Sequence, residues 1–424
     1  MRKGILTLCI LIFFMFWGCE GKASKEGAKT EGEKGAYYTG IYQNLFVDLL
    51  WKSEQEVQAR IDQTFQQLFY GADDDQRIYY PVEPDMAYMF DVASNDVRTE
   101  GQSYGMMIAV QMDKKEEFDR IWKWTKTYMQ HQDDPAKGYF AWHCKTDGSQ
   151  LAWNSAADGE EWFAMTLFFA AARWGNGEGI YNYVAEAQAI LDACLSKTES
   201  SNDPKIVTNL FNKEHKQIVF VPTGRGDDFT DPSYHTPHYY ELWARWADKE
   251  NAFWCDVADT SRELLKRAAQ PETGLYPDYS TFAGKPIGFG GHQDFRYDAW
   301  RVAMNIALDW QWFARDPWAI EQSNRWLTFF DDQGITTHGS LFKLDGEMIA
   351  EDHSAGLVAM NAVACLAGTH EKRKEFVQEF WDTETPDGHY RYYDGVLYLM
   401  GQLQAAGQFR IWDPTGTPVE ACVD

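Results

Sequence analysis

The sequence of 424 residues lacks any cluster of basic side chains. It has 39 Lys and Arg against 64 Asp and Glu, which gives a formal net charge of −25 at pH 7. This charge repels nucleic acid and anionic membrane surfaces, so neither is expected as a direct partner. A nucleotide-binding glycine loop and an alternation of strands with helices are also missing. These absences favour an uncharged ligand.

Long apolar runs are missing after residue 19. Before it, two basic residues precede a short, mostly apolar run that ends at Trp17-Gly18-Cys19. This length, with no stop-transfer segment behind it, predicts a secretory signal over residues 1–19 rather than a membrane span. The ending resembles the lipobox of bacterial lipoproteins, which implies a lipid on Cys19. We therefore expect an exported lipoprotein of the periplasm or cell surface, attached to the membrane only through this anchor.

The next segment, residues 20–36, is rich in small and charged side chains that cannot bury a core, and it is predicted to be a flexible linker. No second linker of this kind follows. We therefore expect a single domain over residues 37–424, and a monomer.

Cysteines in the predicted domain are few and widely spaced. They are Cys144, Cys194, Cys255, Cys365 and Cys422. No Cys-x-x-Cys pair or zinc-ligand spacing occurs, and the odd number argues against a disulfide framework. We expect mostly free, buried thiols, and neither a metal nor another cofactor.

Apolar residues recur at the three-to-four spacing of a helix in twelve segments. These are Tyr42–Phe69, Gln102–Met112, Phe118–Met129, Glu160–Arg173, Val184–Leu195, Tyr239–Trp246, Asp256–Ala269, Ala299–Phe313, Ile320–Phe330, Ala355–Leu366, Lys372–Trp381 and Gly395–Ala406. Long loops separate them. The pattern predicts an all-α fold, an (α/α)6 toroid in which six outer helices surround six inner ones, with minor β pieces such as Gln217–Val221.

Four polar clusters stand at the starts of widely separated helices, and three of them carry carboxylates. The clusters contain Glu100 with Tyr104; Trp142 followed by Asp158 and Glu161; Tyr234 with His235 and His238; and Asp298 with Arg301. In a toroid such helix starts can converge on one cleft. Two carboxylates that face each other across a glycosidic bond are the minimum apparatus for its hydrolysis, and 18 Trp supply flat faces for sugar rings.

Three of the clusters also have a purely structural explanation. Glu100 could interact favourably with a helix N-terminus, Asp158 and Glu161 could form a capping box, and Asp298 could be an N-cap paired with Arg301. Two other chemistries are less well supported. The Gly-x-Ser-x-Gly pattern at residues 101–105 lacks the preceding buried strand of a serine-hydrolase elbow, and His235 with His238 lacks a third metal ligand.

The long motifs around these residues resemble those of glycoside hydrolase family 8. They are RTEGQSYGMM, GYFAWHC, DGEEWFA, DPSYHTPHYYELW, YDAWRVAMNIALD and YRYYDGVLYL, spread between Tyr37 and Trp412. Family members are inverting (α/α)6 enzymes. Within the family, the motifs are most similar to those of the reducing-end xylose-releasing exo-oligoxylanases, which implies a xylo-oligosaccharide substrate and cleavage of its β-1,4 bonds.

The resemblance implies a role for each matched residue. Glu100 would be the general acid and Asp298 the general base, with Tyr234 positioning the attacking water and Asp158 holding the sugar at the cleavage point. Trp142, Tyr104 and Arg301 are further substrate-binding candidates, with Arg301 or Arg296 keeping the base ionised. An inverting pair stands about 6.5–9.5 Å apart, which leaves room for water.

Release of xylose from the reducing end requires a residue that contacts the anomeric hydroxyl. The resemblance places His353 in that role, although its flanking residues Asp352 and Ser354 replace the Leu and Pro of the relatives. Endo-xylanase, β-glucanase and chitosanase activities therefore remain open within the family. A lipoprotein that binds sugar without cleaving it is the alternative from another class.

Overall fold

Paired α-helices dominate the computed structural model, which describes residues 1, 34–199, 206–416 and 421–422. The helices are α1 (Ala36–Thr39), α2 (Leu45–Leu50), α3 (Glu54–Tyr70), α4 (Thr99–Gln111), α5 (Lys115–Tyr128), α6 (Ala157–Trp174), α7 (Tyr183–Leu195), α8 (Pro237–Trp246), α9 (Asn251–Ala268), α10 (Tyr297–Phe313), α11 (Trp318–Gln333), α12 (Ala355–Ala364), α13 (Arg373–Asp382) and α14 (Arg391–Ala405). The predicted signal sequence and Cys19 lie outside the described residues.

Short antiparallel strands occupy the loops. They are β1 (Tyr79–Val82) with β2 (Met86–Met89); β3 (Val97–Arg98), β4 (His143–Cys144) and β5 (Gln150–Ala152) in one sheet; β6 (Phe211–Asn212) with β7 (Gln217–Ile218); and β8 (Leu341–Phe342) with β9 (Met348–Ala350). The expected β piece at Gln217 is present as β7. These strands hold loops at the ends of the helices and form no central sheet.

Each of the twelve periodic segments contains a helix. The first segment divides into α2 and α3 because Trp51 adopts a left-handed backbone, with φ of 56°, that ends α2. Ser53 then begins α3 with a capping box, in which its side chain accepts from the backbone of Glu56 and the Glu56 carboxylate accepts from the backbone of Ser53.

Alternate helices form two concentric rings. In the inner ring α4 contacts α6 and α14, while α10 contacts α8 and α12, and α12 contacts α14. The aromatic side chain of Trp162 on α6 packs edge-on against that of Tyr239 on α8. The outer helices α3, α5, α7, α9, α11 and α13 pack against α14, α4, α6, α8, α10 and α12 respectively. This arrangement confirms the predicted (α/α)6 toroid.

Burial separates the two rings. Every residue of α12 from Gly356 to Ala364 is buried, whereas the outer helix α9 buries one side and exposes the other. Because each outer helix returns the chain before the next inner one begins, the inner helices run in the same direction. Their N-termini therefore gather at one end of the toroid, where the polar clusters lie.

Two details near the chain ends differ from expectation. Gly35 and Ala36 are buried and Ala36 begins α1, so the described fold includes the last two residues of the expected linker. Cys255 on α9 forms a disulfide with Cys422, which corrects the expectation of mostly free thiols for this pair. Folding brings together two cysteines that are 167 residues apart, and sequence spacing could not reveal this. The other three thiols are free and buried.

Candidate active site

Three carboxylates occupy the same position on three inner helices. Glu100, Asp158 and Asp298 are each the second residue of their helix, in α4, α6 and α10. The residue that precedes each helix makes no side-chain capping bond. Neither Asp158 nor Asp298 is therefore an N-cap, which corrects that structural explanation. The helix dipole favours negative charge at this position in all three helices.

Arg301 joins the three carboxylates. Its side chain is 1 % exposed. The Nη1 group donates to Glu100 Oε2 and to Asp158 Oδ2, at 3.0 Å each, and the Nη2 group donates to Asp298 Oδ1 at 2.9 Å. One buried cation thus holds three acidic groups around a single point, with Glu100 and Asp298 on different nitrogens of its planar fork.

Two hydroxyl groups also accept from Arg301. Nη1 donates to Tyr104 Oη at 2.8 Å and Nη2 donates to Ser233 Oγ at 2.9 Å. Tyr104 is buried below this centre and lines neither of the adjoining cavities. Its expected contact with substrate is therefore corrected to a contact that orients Arg301.

Glu100 has the properties of a general acid. Burial raises the pKa of its carboxyl to about 7; Arg301 opposes this change, and the negative charges of Asp158 and Asp298 add to it. Tyr392 donates a hydrogen bond to Glu100 Oε1 at 3.2 Å. This approach requires Gly101, because a Cβ there would stand 2.4 Å from the Tyr392 hydroxyl oxygen. Glu100 can therefore carry a proton near neutral pH.

Asp298 and Asp158 differ in their access to solvent. The side chain of Asp298 is 28 % exposed, whereas that of Asp158 is 7 % exposed. Burial raises the pKa of Asp158 to about 6, and Arg301 opposes the change. The more exposed Asp298, held by Arg301, is suited to accept a proton from water, and Asp158 is suited to accept a sugar hydroxyl.

Two cavities meet at this centre. The first cavity, of about 460 Å³, is lined by Trp142, Asp158, Phe220, Tyr234 and Tyr279 among others. The second cavity, of about 710 Å³, is lined by Asp278, His292, Trp300, Asp352 and Ser354 among others. Arg98, Glu100 and Asp298 border both. An elongated ligand that occupies both cavities therefore passes both Glu100 and Asp298.

Trp142 lines the first cavity, and its neighbours fix its ring. Its ring stacks on that of His143, with centroids 3.7 Å apart and planes within 7°, and the guanidinium of Arg98 lies over it. Asp96 binds both of these neighbours. The ring is thereby held rigid, as a stacking surface for a sugar requires.

Tyr234 lines the first cavity together with Asp158 and Asp298. It is buried, its ring packs beside that of Phe220, and the guanidinium of Arg301 lies 5.6 Å from its ring centre. Burial raises its pKa, and the carboxylates of Asp158 and Asp298 add to the effect. The phenol therefore remains protonated and can donate a hydrogen bond beside the base.

Several other candidates are structural. Ser103 is buried and its hydroxyl donates to the backbone oxygen of Glu100, so the serine-hydrolase hypothesis is wrong. Glu161 forms no capping box but accepts from the Tyr240 hydroxyl. The neighbouring Trp162 is buried against Tyr104.

The two histidines of the third cluster are also buried. His235 lies between the hydroxyls of Thr230 and Ser261, at 2.9 and 2.8 Å, and His238 packs against Trp312. Burial lowers the pKa of His235 to about 3. These surroundings are those of neutral core histidines.

His353 does not face the second cavity. Its Nδ1 is 2.9 Å from the backbone oxygen of His338 and its Nε2 is 3.3 Å from Glu379 Oε1. Its neighbours Asp352 and Ser354 line the cavity instead. This orientation corrects the expectation that His353 contacts substrate, because both of its ring nitrogens already have protein partners.

Sequence reasoning did not single out Ser233, Tyr279, His292 and Tyr392. Ser233 and Tyr392 lie inside the motifs DPSYHTPHYYELW and YRYYDGVLYL, so their positions were a usable signal. Tyr279 and His292 belong to the loop before α10, which no motif covers. Their role depends on how that loop folds back against the helix starts.

Comparisons with known proteins agree with this geometry. Residues 89–407 match the model of glycosyl hydrolases family 8. A reducing-end xylose-releasing exo-oligoxylanase of Paenibacillus barcinonensis is 47% identical over 386 residues, which cover 89% of this chain and 99% of that protein. The solved structure of that enzyme complexed with xylose has a TM-score of 0.85 at 45% identity. The match covers 90% of this chain and 100% of the solved chain.

A second solved structure is equally similar. The family 8 xylobiose complex from Teredinibacter turnerae has a TM-score of 0.85 at 46% identity. The match covers 89% of this chain and 100% of the solved chain. A curated endoglucanase of Ruminiclostridium josui is more distant, at 28% identity over 78% of this chain and 67% of that protein.

Proposed function

Because the chain belongs to glycoside hydrolase family 8, we propose that it is an inverting enzyme that releases xylose from the reducing end of β-1,4-linked xylo-oligosaccharides. Relatives named for this activity are 36–47% identical over 84–91% of the chain. The observation that carries the proposal is the junction of the two cavities, where Glu100 and Asp298 both bind Arg301.

The residues of the junction support one displacement step. Glu100 gives its proton to the glycosidic oxygen, and the bond from this oxygen to the anomeric carbon breaks. Water attacks that carbon from the opposite face and loses a proton to Asp298. Tyr234 donates a hydrogen bond to the water, and Asp158 accepts one from the sugar. The cycle ends when Asp298 releases its proton and Glu100 regains one from solvent.

The second cavity is assigned to the product side. The resemblance places the loop around His353 beyond the reducing-end sugars, and Asp352 and Ser354 of this loop line the second cavity. The first cavity, with Asp158 and Trp142, then holds the rest of the chain.

An endo-β-1,4-xylanase is the second candidate. It is favoured by the size of the second cavity, about 710 Å³, and by the orientation of His353 away from it. A longer product could occupy this space.

Xylotetraose labelled with ¹⁸O at its reducing end separates the candidates. Mass spectrometry of early products is expected to find the label in xylose. Label in xylobiose would overturn reducing-end release in favour of endo action. Unchanged xylotetraose would indicate the non-catalytic sugar-binding protein instead.

A further inference from the structure

Asp278 and His292 form a pair on the wall of the second cavity that the displacement step does not use. Asp278 is 1 % exposed. Its Oδ1 accepts from the backbone N–H of Ala299 at 3.2 Å, and its Oδ2 is 2.9 Å from His292 Nδ1. A carboxylate can only accept, so Nδ1 carries a proton directed at Asp278, and Nε2 is the ring nitrogen left for a ligand. The pair thus fixes the orientation of the His292 ring.

The plane of the His292 ring is fixed as well. It stacks on Tyr279, with centroids 4.1 Å apart and planes within 15°. The backbone of His292 donates to Phe289 and accepts from Tyr279, at 3.0 Å each. Tyr279 lines the first cavity and His292 the second, so the stacked rings form a continuous wall past the cleavage point.

The remaining ring nitrogen of His292 is available to a ligand. The side chain is 31 % exposed and lines the second cavity, and Nε2 has no protein partner within the part of the chain that the structure describes. Burial raises the pKa of Asp278 to about 6, and the hydrogen bond from His292 opposes this. At neutral pH Asp278 is therefore an anion that holds Nδ1–H and leaves Nε2 to a ligand.

We propose that His292, oriented by Asp278 and Tyr279, binds a hydroxyl group of the leaving xylose unit through Nε2. A sugar hydroxyl can donate or accept a hydrogen bond, so it matches a ring nitrogen held in a fixed position, and a site built to bind a hydroxyl discriminates strongly against a ligand without one. The inference rests on the proposed function, because it takes the second cavity as the product side.

Two substrates that differ only on the product side test this role. Xylotriose leaves xylose, whereas an aryl β-xylobioside leaves a phenol with no sugar hydroxyl. For His292→Ala, kcat/KM on xylotriose is expected to fall about tenfold, the value of one hydrogen bond left unmade, while hydrolysis of the aryl substrate is unchanged. His292→Gln, which retains a polar terminus, should recover part of the loss. His215→Gln, at an exposed histidine beside β7, is the matched control.

Other results would overturn the role. An equal loss on both substrates would mean that the pair supports Asp298 through the Ala299 N–H and does not bind the leaving sugar. Unchanged rates on both would exclude any contribution of His292. If the wild-type protein cleaved neither substrate, both the proposed function and this inference would fail. If the wild-type protein cleaved both substrates normally and His292→Ala cleaved them at the same rates, only this inference would be refuted.

Discussion

Glu100 and Asp298 bind the same guanidinium, and the side chain of Glu100 is 17 % exposed against 28 % for Asp298, which supports the proposed division into acid and base. We expect Glu100→Gln and Asp298→Asn each to lower kcat on xylotriose by about 10²–10⁴-fold, because each loses one proton transfer. Thermal melting followed by circular dichroism should show that both variants remain folded.

Glu116→Gln is the matched control for this prediction. Glu116 is also the second residue of its helix, but α5 belongs to the outer ring and its side chain is 77 % exposed. Near-native turnover by either site variant would remove that residue from its assigned role.

The pH profile provides a second prediction at residue scale. As the proposed acid, Glu100 acts only when protonated, and burial raises its pKa to about 7, so kcat/KM should decline as pH rises through this value. The charge of Asp158 raises the pKa of Glu100. In Asp158→Asn, whatever the remaining rate, the midpoint of the alkaline limb should therefore move to lower pH. A midpoint that stays in place or rises would contradict this electrostatic coupling.

Sequence alone identified most of the acidic residues at the site but not the arrangement that makes them functional. Glu100, Asp158 and Asp298 lie in motifs and at helix starts, so their type and position were visible. The contact of Arg301 with Glu100, 201 positions away, arises only when α4 and α10 meet in the inner ring. The orientation of His353 likewise depends on Glu379, which lies on α13.

At the scale of elements, periodicity predicted the helices well because each must bury an apolar stripe against its neighbours. Helix ends were less predictable. Trp51 breaks the first segment through its backbone conformation, and the polar starts of α6 and α10 extend beyond the apolar pattern.

A buried ionic network joins three of these helices. Arg262 on α9 donates to both oxygens of Asp309 on α10, at 2.8 and 2.7 Å, and to Glu241 on α8 at 3.0 Å. Arg262→Met should lower the free energy of unfolding by about 3–5 kcal/mol, because Asp309 then remains buried without its cation. Urea denaturation measures the change.

Lys266→Met provides the comparison on the same helix. Lys266 pairs with Glu263 and Asp316 but is 31 % exposed, so its loss should cost at most about 1 kcal/mol. Equal destabilisation by the two variants would show that the buried network contributes no more to the free energy of unfolding than the partly exposed ion pairs of Lys266.

At the scale of the whole molecule, the disulfide between Cys255 and Cys422 supports an extracytoplasmic location, because such bonds persist in oxidising compartments. We propose that the protein is exported and lipidated on Cys19. Cells grown with labelled palmitate should yield a labelled, membrane-associated protein, and Cys19→Ala should remove the label. Label retained by the variant would disprove the anchor at this residue.

Inversion is the central claim, since it requires water between the sugar and Asp298 while Glu100 acts from the other side. Proton NMR of xylotriose during the first minutes of hydrolysis reports the configuration of each new reducing end before it equilibrates. Xylobiose that appears first as the α-anomer is the predicted result. Xylobiose that appears first as the β-anomer would contradict the mechanism.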